Sequence, residues 1–222
     1  MKHKEQELIA IKEELGQMWR LVISQTEKAK AAFLHHDIEL ALEIVRSEKR
    51  VNAYELRVER ACENYIALFN PVAIDLRLIL SILKISITLE RIADYAEGVA
   101  REVIDKDCIP LETTLLEELE LEKMFSMILN MLTDCYAAYI SENSNSSGKI
   151  LLKDKKVNEI YHNSFQILEN YLLENPNQVK CALRWILLIR KLERVGDHCS
   201  NIVEEIVFFL EAKVLKHRGK SE

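Results

Sequence analysis

Paired carboxylates recur in this sequence in a form suited to binding a cation. The phrase Leu-Glu-Arg-Ile-Ala-Asp contains Glu90 and Asp94, and the phrase Leu-Glu-Arg-Val-Gly-Asp contains Glu193 and Asp197. In each pair the two acids stand four residues apart, so on a helix they share one face, one turn apart. Like charges at this spacing repel each other by roughly a few tenths of a kcal/mol. A bound cation would relieve the repulsion, and we predict a metal site at each pair.

Two more acidic residues are candidate ligands of the first site. Glu55 and Glu59 stand one turn apart on the segment that precedes the first phrase, and they are the natural extra ligands if that segment packs beside it. A site built only from oxygen atoms suits Mg²⁺, Ca²⁺, Mn²⁺ or iron better than copper.

A second interpretation of the two phrases needs no ligand. Arg91 can pair with Asp94, and Arg194 with Asp197, because each couple is three residues apart on a helix. An exposed helix face crossed by such ion pairs would be an ordinary surface. His198 could also be a ligand, but a tyrosine holds the equivalent place after the first phrase.

The elements that must position these acids are predicted to be long helices. The 222 residues include only 5 Gly and 3 Pro, too few turn formers for many short strands. The net charge of -6 argues against a nucleic-acid partner, which needs a basic surface. Five cysteines without a CxxC pair or an opening secretory signal indicate reduced thiols in a cytoplasmic protein. No run approaches the roughly 18 apolar residues of a membrane span, so we expect membrane contact only through protein partners.

The helical pattern occurs twice. Each half reads as helix, loop, helix, Asn-Pro and then a long helix with Leu-Glu-Arg, and further matches lie in order along the two halves: Val51-Asn52 with Val157-Asn158, Asn70-Pro71 with Asn175-Pro176, and Leu76-Arg77 with Leu183-Arg184. A repeat that keeps its order over several points indicates a duplicated unit. We predict an all-α protein of two tandem three-helix bundles, with six long antiparallel helices, divided into residues 1–108 and 109–222.

Several residues predict where these helices begin and end. Asp37 is a plausible N-cap of the second helix, and Asn70 of the third. Thr114 and Glu117 fit a capping box at the start of a fourth helix that continues past Cys135. The last helix is expected to end near residues 216–219, which are basic and close with a glycine.

The third helix is predicted to pack against neighbours on both sides, because it carries two apolar stripes. One stripe holds Ile82, Ile85, Leu89 and Ile92. The other holds Leu76, Leu80, Leu83 and Ile87 and then becomes acidic, since Glu90 and Asp94 continue it.

Taken together, these motifs resemble the PhoU family. The resemblance rests on the run from Asn70 to Arg77, the first phrase that follows it and the second phrase with its histidine, and it covers about residues 9–215. It implies two similar three-helix bundles, a cytoplasmic protein that is commonly a homodimer, and metal bound through the Glu/Asp-x-x-x-Asp motifs, which map to Glu90 with Asp94 and to Glu193 with Asp197. The metal would be divalent or trivalent: iron, manganese, magnesium or zinc.

The resemblance also separates the two sites. The family often places Asn four residues after the motif Asp, where this chain has Asn201 in the second copy but Gly98 in the first. Tyr161 and Phe165 fall where the first half has its two extra glutamates, so the second site is expected to have fewer acidic neighbours.

The role implied by the resemblance is regulatory rather than enzymatic. Family members restrain phosphate uptake and the phosphate-starvation response by contacting the phosphate ABC transporter, with its ATPase, and a phosphate-sensing histidine kinase. Three alternatives stay open. The resemblance also allows an accessory regulator of a sodium–phosphate carrier, and the residues themselves allow a metal-dependent hydrolase or oxidase in a helical bundle or a helical interaction module without metal.

Overall fold

The protein consists of helices joined by short connections. The computed structural model describes residues 2–105 and 111–214, and within these ranges it contains no strand. The α-helices are α1 (Lys2–His35), α2 (Ile38–Phe69), α3 (Ala73–Ile104), α4 (Thr113–Glu118), α5 (Leu121–Ile140), α6 (Ser147–Glu174) and α7 (Val179–Glu211), and a single 3₁₀ turn (Pro176–Gln178) leads into the last of them.

Helices α1, α2 and α3 form the first bundle. Gln25 in the second half of α1 donates a hydrogen bond of 2.7 Å to Ser47 in the first half of α2, so these two helices run antiparallel. An ion pair of 2.7 Å between Lys4 and Asp75 joins the start of α1 to the start of α3. The three helices therefore alternate in direction.

Helices α5, α6 and α7 form the second bundle in the same way. Lys153 near the start of α6 pairs at 2.6 Å with Asp134 in the second half of α5. The ring of Tyr171 near the end of α6 lies 5.7 Å from that of Trp185 near the start of α7. The prediction of two three-helix bundles with six long antiparallel helices is confirmed.

The two bundles share one continuous hydrophobic core. Arg184 at the start of α7 reaches Glu102 at the end of α3 at 2.8 Å, so α3 and α7 run antiparallel where they pack together. Trp19, which is fully buried in α1, donates to the carbonyl oxygen of Leu132 in α5 at 3.3 Å. The predicted boundary between residues 108 and 109 lies outside the described residues and stays a prediction.

The capping prediction for α2 is confirmed and that for α3 is wrong. Asp37 accepts a 2.9 Å hydrogen bond from the backbone N–H of Leu40, as an N-cap should. Asn70 instead closes α2: its φ of 43° is left-handed, and its own N–H bonds to the carbonyl of Ile66 at 3.1 Å. Asparagine tolerates this conformation at a helix end, and α3 begins only at Ala73.

The prediction of one helix starting with a capping box at Thr114 is also wrong. Helix α4 has Glu112 at its N-cap position and no side-chain cap bond, because Thr114 already lies inside the helix. The chain then turns at Glu120, whose φ is 50°, before α5 starts.

Two expectations about the long helices need correction. The stripe of α3 expected to pack is partly open to solvent, since Leu80 is 39% and Ile87 45% exposed; only the other stripe is fully buried, against α1, α2 and α7. Helix α7 ends at Glu211, earlier than predicted, and residues 216–219 lie outside the described residues.

The described cysteines (Cys62, Cys135, Cys181 and Cys199) are free and buried, while Cys108 lies outside the described residues. Within the ranges that the structure describes, no helix has the length and apolar character needed to cross a bilayer.

Candidate functional site

The first acidic cluster lies between α2 and α3. It consists of Glu48 and Glu55 on α2 and of Glu90 and Asp94 on α3. The pKa of Glu90 is raised to about 7, chiefly by partial burial and then by the neighbouring carboxylates of Asp94, Glu55 and Glu48, against the opposing charge of Arg91. Burial is also the main cause of the raised pKa values of Asp94 and Glu55. The structure thus brings the predicted pair and Glu55 into one electrostatic group.

Glu59 and Glu48 hold different places relative to this cluster. Glu59 is exposed and raises the pKa of Glu55, so it lies at the edge of the cluster. Glu48, which the sequence analysis missed, raises the pKa of both acids on α3. It accepts a hydrogen bond from the side-chain amide of Asn52, whose own oxygen is buried without a partner among the described residues.

The second acidic cluster lies between α6 and α7. It consists of Asp154 on α6 and of Glu193 and Asp197 on α7. Burial raises the pKa of Asp154 to about 6, and Asp197 and Glu193 contribute to the rise. Burial also raises the pKa of Glu193, with Asp197 as the next cause. The second site therefore has an acid on its neighbouring helix, although not where the first-half glutamates predicted it.

A glycine makes room for that acid. An added Cβ at Gly196 would lie 2.9 Å from Oδ1 of Asp154 and 3.3 Å from Cγ1 of Val157. The glycine inside the second phrase therefore lets α6 bring Asp154 against α7. Oδ1 of Asp154 is buried, and hydrogen bonding with the side chain of Ser200 lowers the pKa of Asp154 against the effect of burial.

The sequence contained a signal for both missed acids. Glu48 stands three residues before Val51-Asn52, and Asp154 stands three residues before Val157-Asn158. These dipeptides match across the repeat, so extending the match by one helical turn would have found the two acids. Asn201 is exposed on α7, and in the described chain no hydrogen bond joins it to the second cluster.

The ion-pair interpretation holds for one phrase only. Arg194 lies 3.6 Å from Asp197 and 3.9 Å from Glu193, distances of loose ion pairs. Arg91 makes no ion pair within 4.0 Å in the part of the chain described. The first cluster thus has no closely paired cation, although the charge of Arg91 still acts on Glu90 and Glu55.

The acids are near one another but are not gathered into a finished metal site. In residues 2–105 and 111–214, no group of three or more His, Cys, Asp or Glu side chains has the geometry to hold a metal ion. The donor chemistry suits a hard cation, because every available ligand atom is an oxygen. Binding would require the side chains to turn towards the ion, and the metal prediction stays a prediction.

The residues that follow the two phrases meet between the clusters. The rings of Tyr95 on α3 and His198 on α7 lie 5.6 Å apart with their planes tilted by 30°. The pKa of His198 is lowered to about 4, chiefly by burial and then by the charges of Arg91 and Arg194. The imidazole is therefore neutral near pH 7.

Comparisons with known proteins agree with this arrangement. The family model described as the PhoU domain matches residues 15–103 and 121–206. The chain is 32% identical to the phosphate-specific transport system accessory protein PhoU homolog of Aquifex aeolicus, over 97% of this chain and 96% of the relative. It is 31% identical to the phosphate-specific transport system accessory protein PhoU of Edwardsiella tarda, over 96% of this chain and 86% of the relative.

Solved structures show the same fold. PhoU from Pseudomonas aeruginosa superposes with a TM-score of 0.85 at 30% identity, covering 94% of this chain and 99% of that one. The phosphate transport system regulatory protein PhoU from Streptococcus pneumoniae superposes with a TM-score of 0.82 at 24% identity, covering 96% of this chain and 99% of that one. The chain belongs to the PhoU family, because both of its halves match the PhoU domain and because it aligns with these relatives over nearly its whole length.

Proposed function

We propose that this protein is an accessory regulator of phosphate transport. The observation that carries the proposal is the match over nearly the whole chain to proteins named phosphate-specific transport system accessory protein, at 30–32% identity and with both halves of the repeat included. A match to one half alone would show only that the two proteins share a three-helix bundle, and it would not support a shared function.

The regulator acts by contact rather than by catalysis in this proposal. It restrains phosphate uptake and the starvation response in the cytoplasm, as a homodimer, by binding the ATPase of the phosphate ABC transporter and a phosphate-sensing histidine kinase. Exposed apolar side chains on the two helices that carry the paired acids support a protein-docking role, since apolar patches mark interaction surfaces. Leu80 and Ile87 on α3 and Leu183 and Leu187 on α7 are between 39% and 59% exposed.

An apolar groove between α6 and α7 adds to this surface. It encloses about 270 Å³. Its lining is almost wholly apolar: Phe165, Leu168, Leu172, Ala182, Leu183 and Ile186, with Glu169 at the edge.

The same proposal assigns metal ions to the two acidic clusters. Two buried side-chain oxygens, on Asn52 and Asn158, lack hydrogen-bond partners within the described residues, and a cation is a partner that such acceptors can share. The four acids of the first cluster and the three of the second would hold it, with Glu59 and Asn201 at the periphery. Bound iron, manganese, magnesium or zinc would neutralise the clustered carboxylates and tie together the two helices on either side.

A pull-down with the purified kinase and the transporter ATPase tests the proposed function. We expect both partners to be retained and Leu80→Asp with Leu183→Asp to lower retention at least about tenfold, because a charge would replace apolar contact. Ile9→Asp is the matched control, since Ile9 is 62% exposed on α1, a helix without a motif. Absence of retention with metal and without it would refute the docking role.

Elemental analysis of the purified protein tests the metal assignment separately. The wild-type protein should carry metal, and Asp94→Asn with Asp197→Asn should carry much less. If wild type and the variant carry the same amount of metal, the ion is bound elsewhere. If wild type carries no metal and still binds its partners, docking is the whole function.

A further inference from the structure

Helices α6 and α7 carry apolar side chains that are turned to solvent. Phe165 on α6 and Val179, Leu183 and Leu187 on α7 are between 47% and 59% exposed. Phe165 and Leu183 also line the apolar groove of about 270 Å³ between the two helices. These four side chains and the groove together are called the α6–α7 face below.

The fold itself does not require apolar side chains at these places. In the register of the repeated phrases, Leu187 corresponds to Lys84 of the first half, and in the register of the Val-Asn dipeptides, Phe165 corresponds to Glu59. Lys84 and Glu59 are both exposed. The first bundle therefore has charged surface where the second has apolar surface, so the α6–α7 face serves contact with something outside the chain.

The spacing of the apolar residues suits a helical partner. On α7, Val179, Leu183 and Ile186 follow one another at intervals of four and three residues, and on α6, Phe165 and Leu168 are three residues apart. Such intervals arrange side chains in ridges, which fit the grooves between the ridges of another helix. A groove bounded by two helices can therefore receive a ridge from a third.

Charged residues at one end of the α6–α7 face suit a second copy of the same chain. Helices α6 and α7 are antiparallel and Tyr171 lies beside Trp185, so Glu169 and Arg190 stand at nearly the same height along the helix pair. Both are exposed, and neither forms an ion pair within 4.0 Å in the part of the chain that the structure describes. A second copy rotated by a half-turn about an axis parallel to the helices would bring its Arg190 over Glu169, and its Glu169 over Arg190.

We propose that two copies of this chain associate through their α6–α7 faces, with each α6 lying on the α7 of the other copy in a four-helix arrangement. The apolar ridges of each copy enter the groove of the other, and an ion pair between Glu169 and Arg190 forms on either side of the axis. This inference rests on the homodimer of the proposed function and names the surface that forms it. Leu80 and Ile87 on α3 stay exposed for other partners.

The α6–α7 face is small for a dimer interface. From Val179 to Arg190 the helix rises by about 17 Å, and two neighbouring helices are together about 20 Å wide. This footprint is smaller than the roughly 800 Å² that each partner buries in an interface of standard size. We therefore expect a dimer that dissociates at micromolar concentration.

Sedimentation velocity of the purified protein in EDTA, from about 1 to about 100 µM, measures the association. Wild type should pass from monomer to dimer over this range. Leu183→Asp should raise the Kd of the dimer at least about a hundredfold, because each dimer would bury the new charge twice. Leu80→Asp is the matched control, since Leu80 holds the corresponding place in the first half, and it should leave the Kd unchanged.

A charge exchange tests the predicted arrangement of the two copies. Arg190→Glu should raise the Kd about tenfold, because the new carboxylate would face Glu169 of the other copy on both sides of the axis. Adding Glu169→Arg to the same chain should return the Kd to within about threefold of the wild-type value, since opposite charges face each other again.

The possible results separate this inference from the regulatory function. Loss of the dimer in Leu183→Asp, retention in Leu80→Asp and recovery in the charge exchange support it. A dimer that is unchanged in Leu183→Asp, or a charge exchange without recovery, would overturn the assigned surface and keep the homodimer. Wild type that is monomeric at about 100 µM would overturn both. In each case the pull-down with the kinase and the ATPase decides the regulatory function independently.

Discussion

Glu90→Gln should stabilise the metal-free protein at alkaline pH. The wild-type carboxyl has its pKa raised from 4.5 to about 7 by burial and by the neighbouring acids. A raised carboxyl pKa means that the folded state holds the proton more tightly than the unfolded state. The unfolding free energy therefore falls as the pH rises from about 4.5 to about 7, where the carboxylate becomes charged within the cluster, and it stays low above that pH.

The size of this effect follows from the same shift. A rise from 4.5 to about 7 would correspond to about 3 kcal/mol if no solvent reached the group. Glu90 is only partly buried, and water screens its charge, so we expect about 1 kcal/mol. For a chain of this size that is about 2–4 °C in the melting temperature.

Urea unfolding in EDTA at about pH 5 and about pH 8 measures the prediction. Between the two pH values the free energy of unfolding of Glu90→Gln should rise by about 1 kcal/mol relative to that of wild type. The control variant Glu13→Gln, at an exposed position on α1, should show no such rise. Equal pH dependence of Glu90→Gln and wild type would refute the view that this carboxylate is held in a repulsive, partly desolvated place.

Three further predictions concern the second cluster and the metal. Gly196→Ala should destabilise the protein by about 1–2 kcal/mol, because its Cβ would press on Asp154. Gly98→Ala is the control: its Cβ would meet only the flexible side chain of a lysine, so the protein should be unchanged or up to about 1 kcal/mol more stable through helix propensity. Urea unfolding measures both, and equal effects would contradict the close approach of Asp154 to Gly196. Asp154→Asn should raise the melting temperature above wild type increasingly as the pH rises through about 6, and a constant difference would show that the charge is not the cause. Manganese should raise the melting temperature of wild type, and it should raise that of the double variant Asp94→Asn with Asp197→Asn much less. An equal rise in both proteins would exclude these acids as ligands.

The sequence predicted the helices and the pairing of the halves because both follow from short-range patterns. Apolar spacing defined the helices, and the repeated phrases defined their order. The predicted starts of α3 and α4 were wrong for a local reason: Asn70 and Thr114 suit several places near the end of a helix, and only the backbone conformation selects among them.

The cluster between α6 and α7 was harder to predict than that between α2 and α3. Asp154 comes close to Glu193 only through the packing of α6 on α7 and through the missing side chain at Gly196. Neither is visible in a single helix. The exposure of Leu80 and Ile87 likewise depends on where the second bundle sits, because the same stripe would be buried if α7 packed on it.

The contact between the rings of Tyr95 and His198 bears on how a chain with two similar halves could arise. These residues hold the same position in the two halves, and α3 and α7 cross there in opposite directions. Two identical half-length chains assembled about that point would have to place one residue type against its own copy. Joining the halves in a single polypeptide removes this constraint, so that a phenol can face an imidazole on what would otherwise be a symmetry axis.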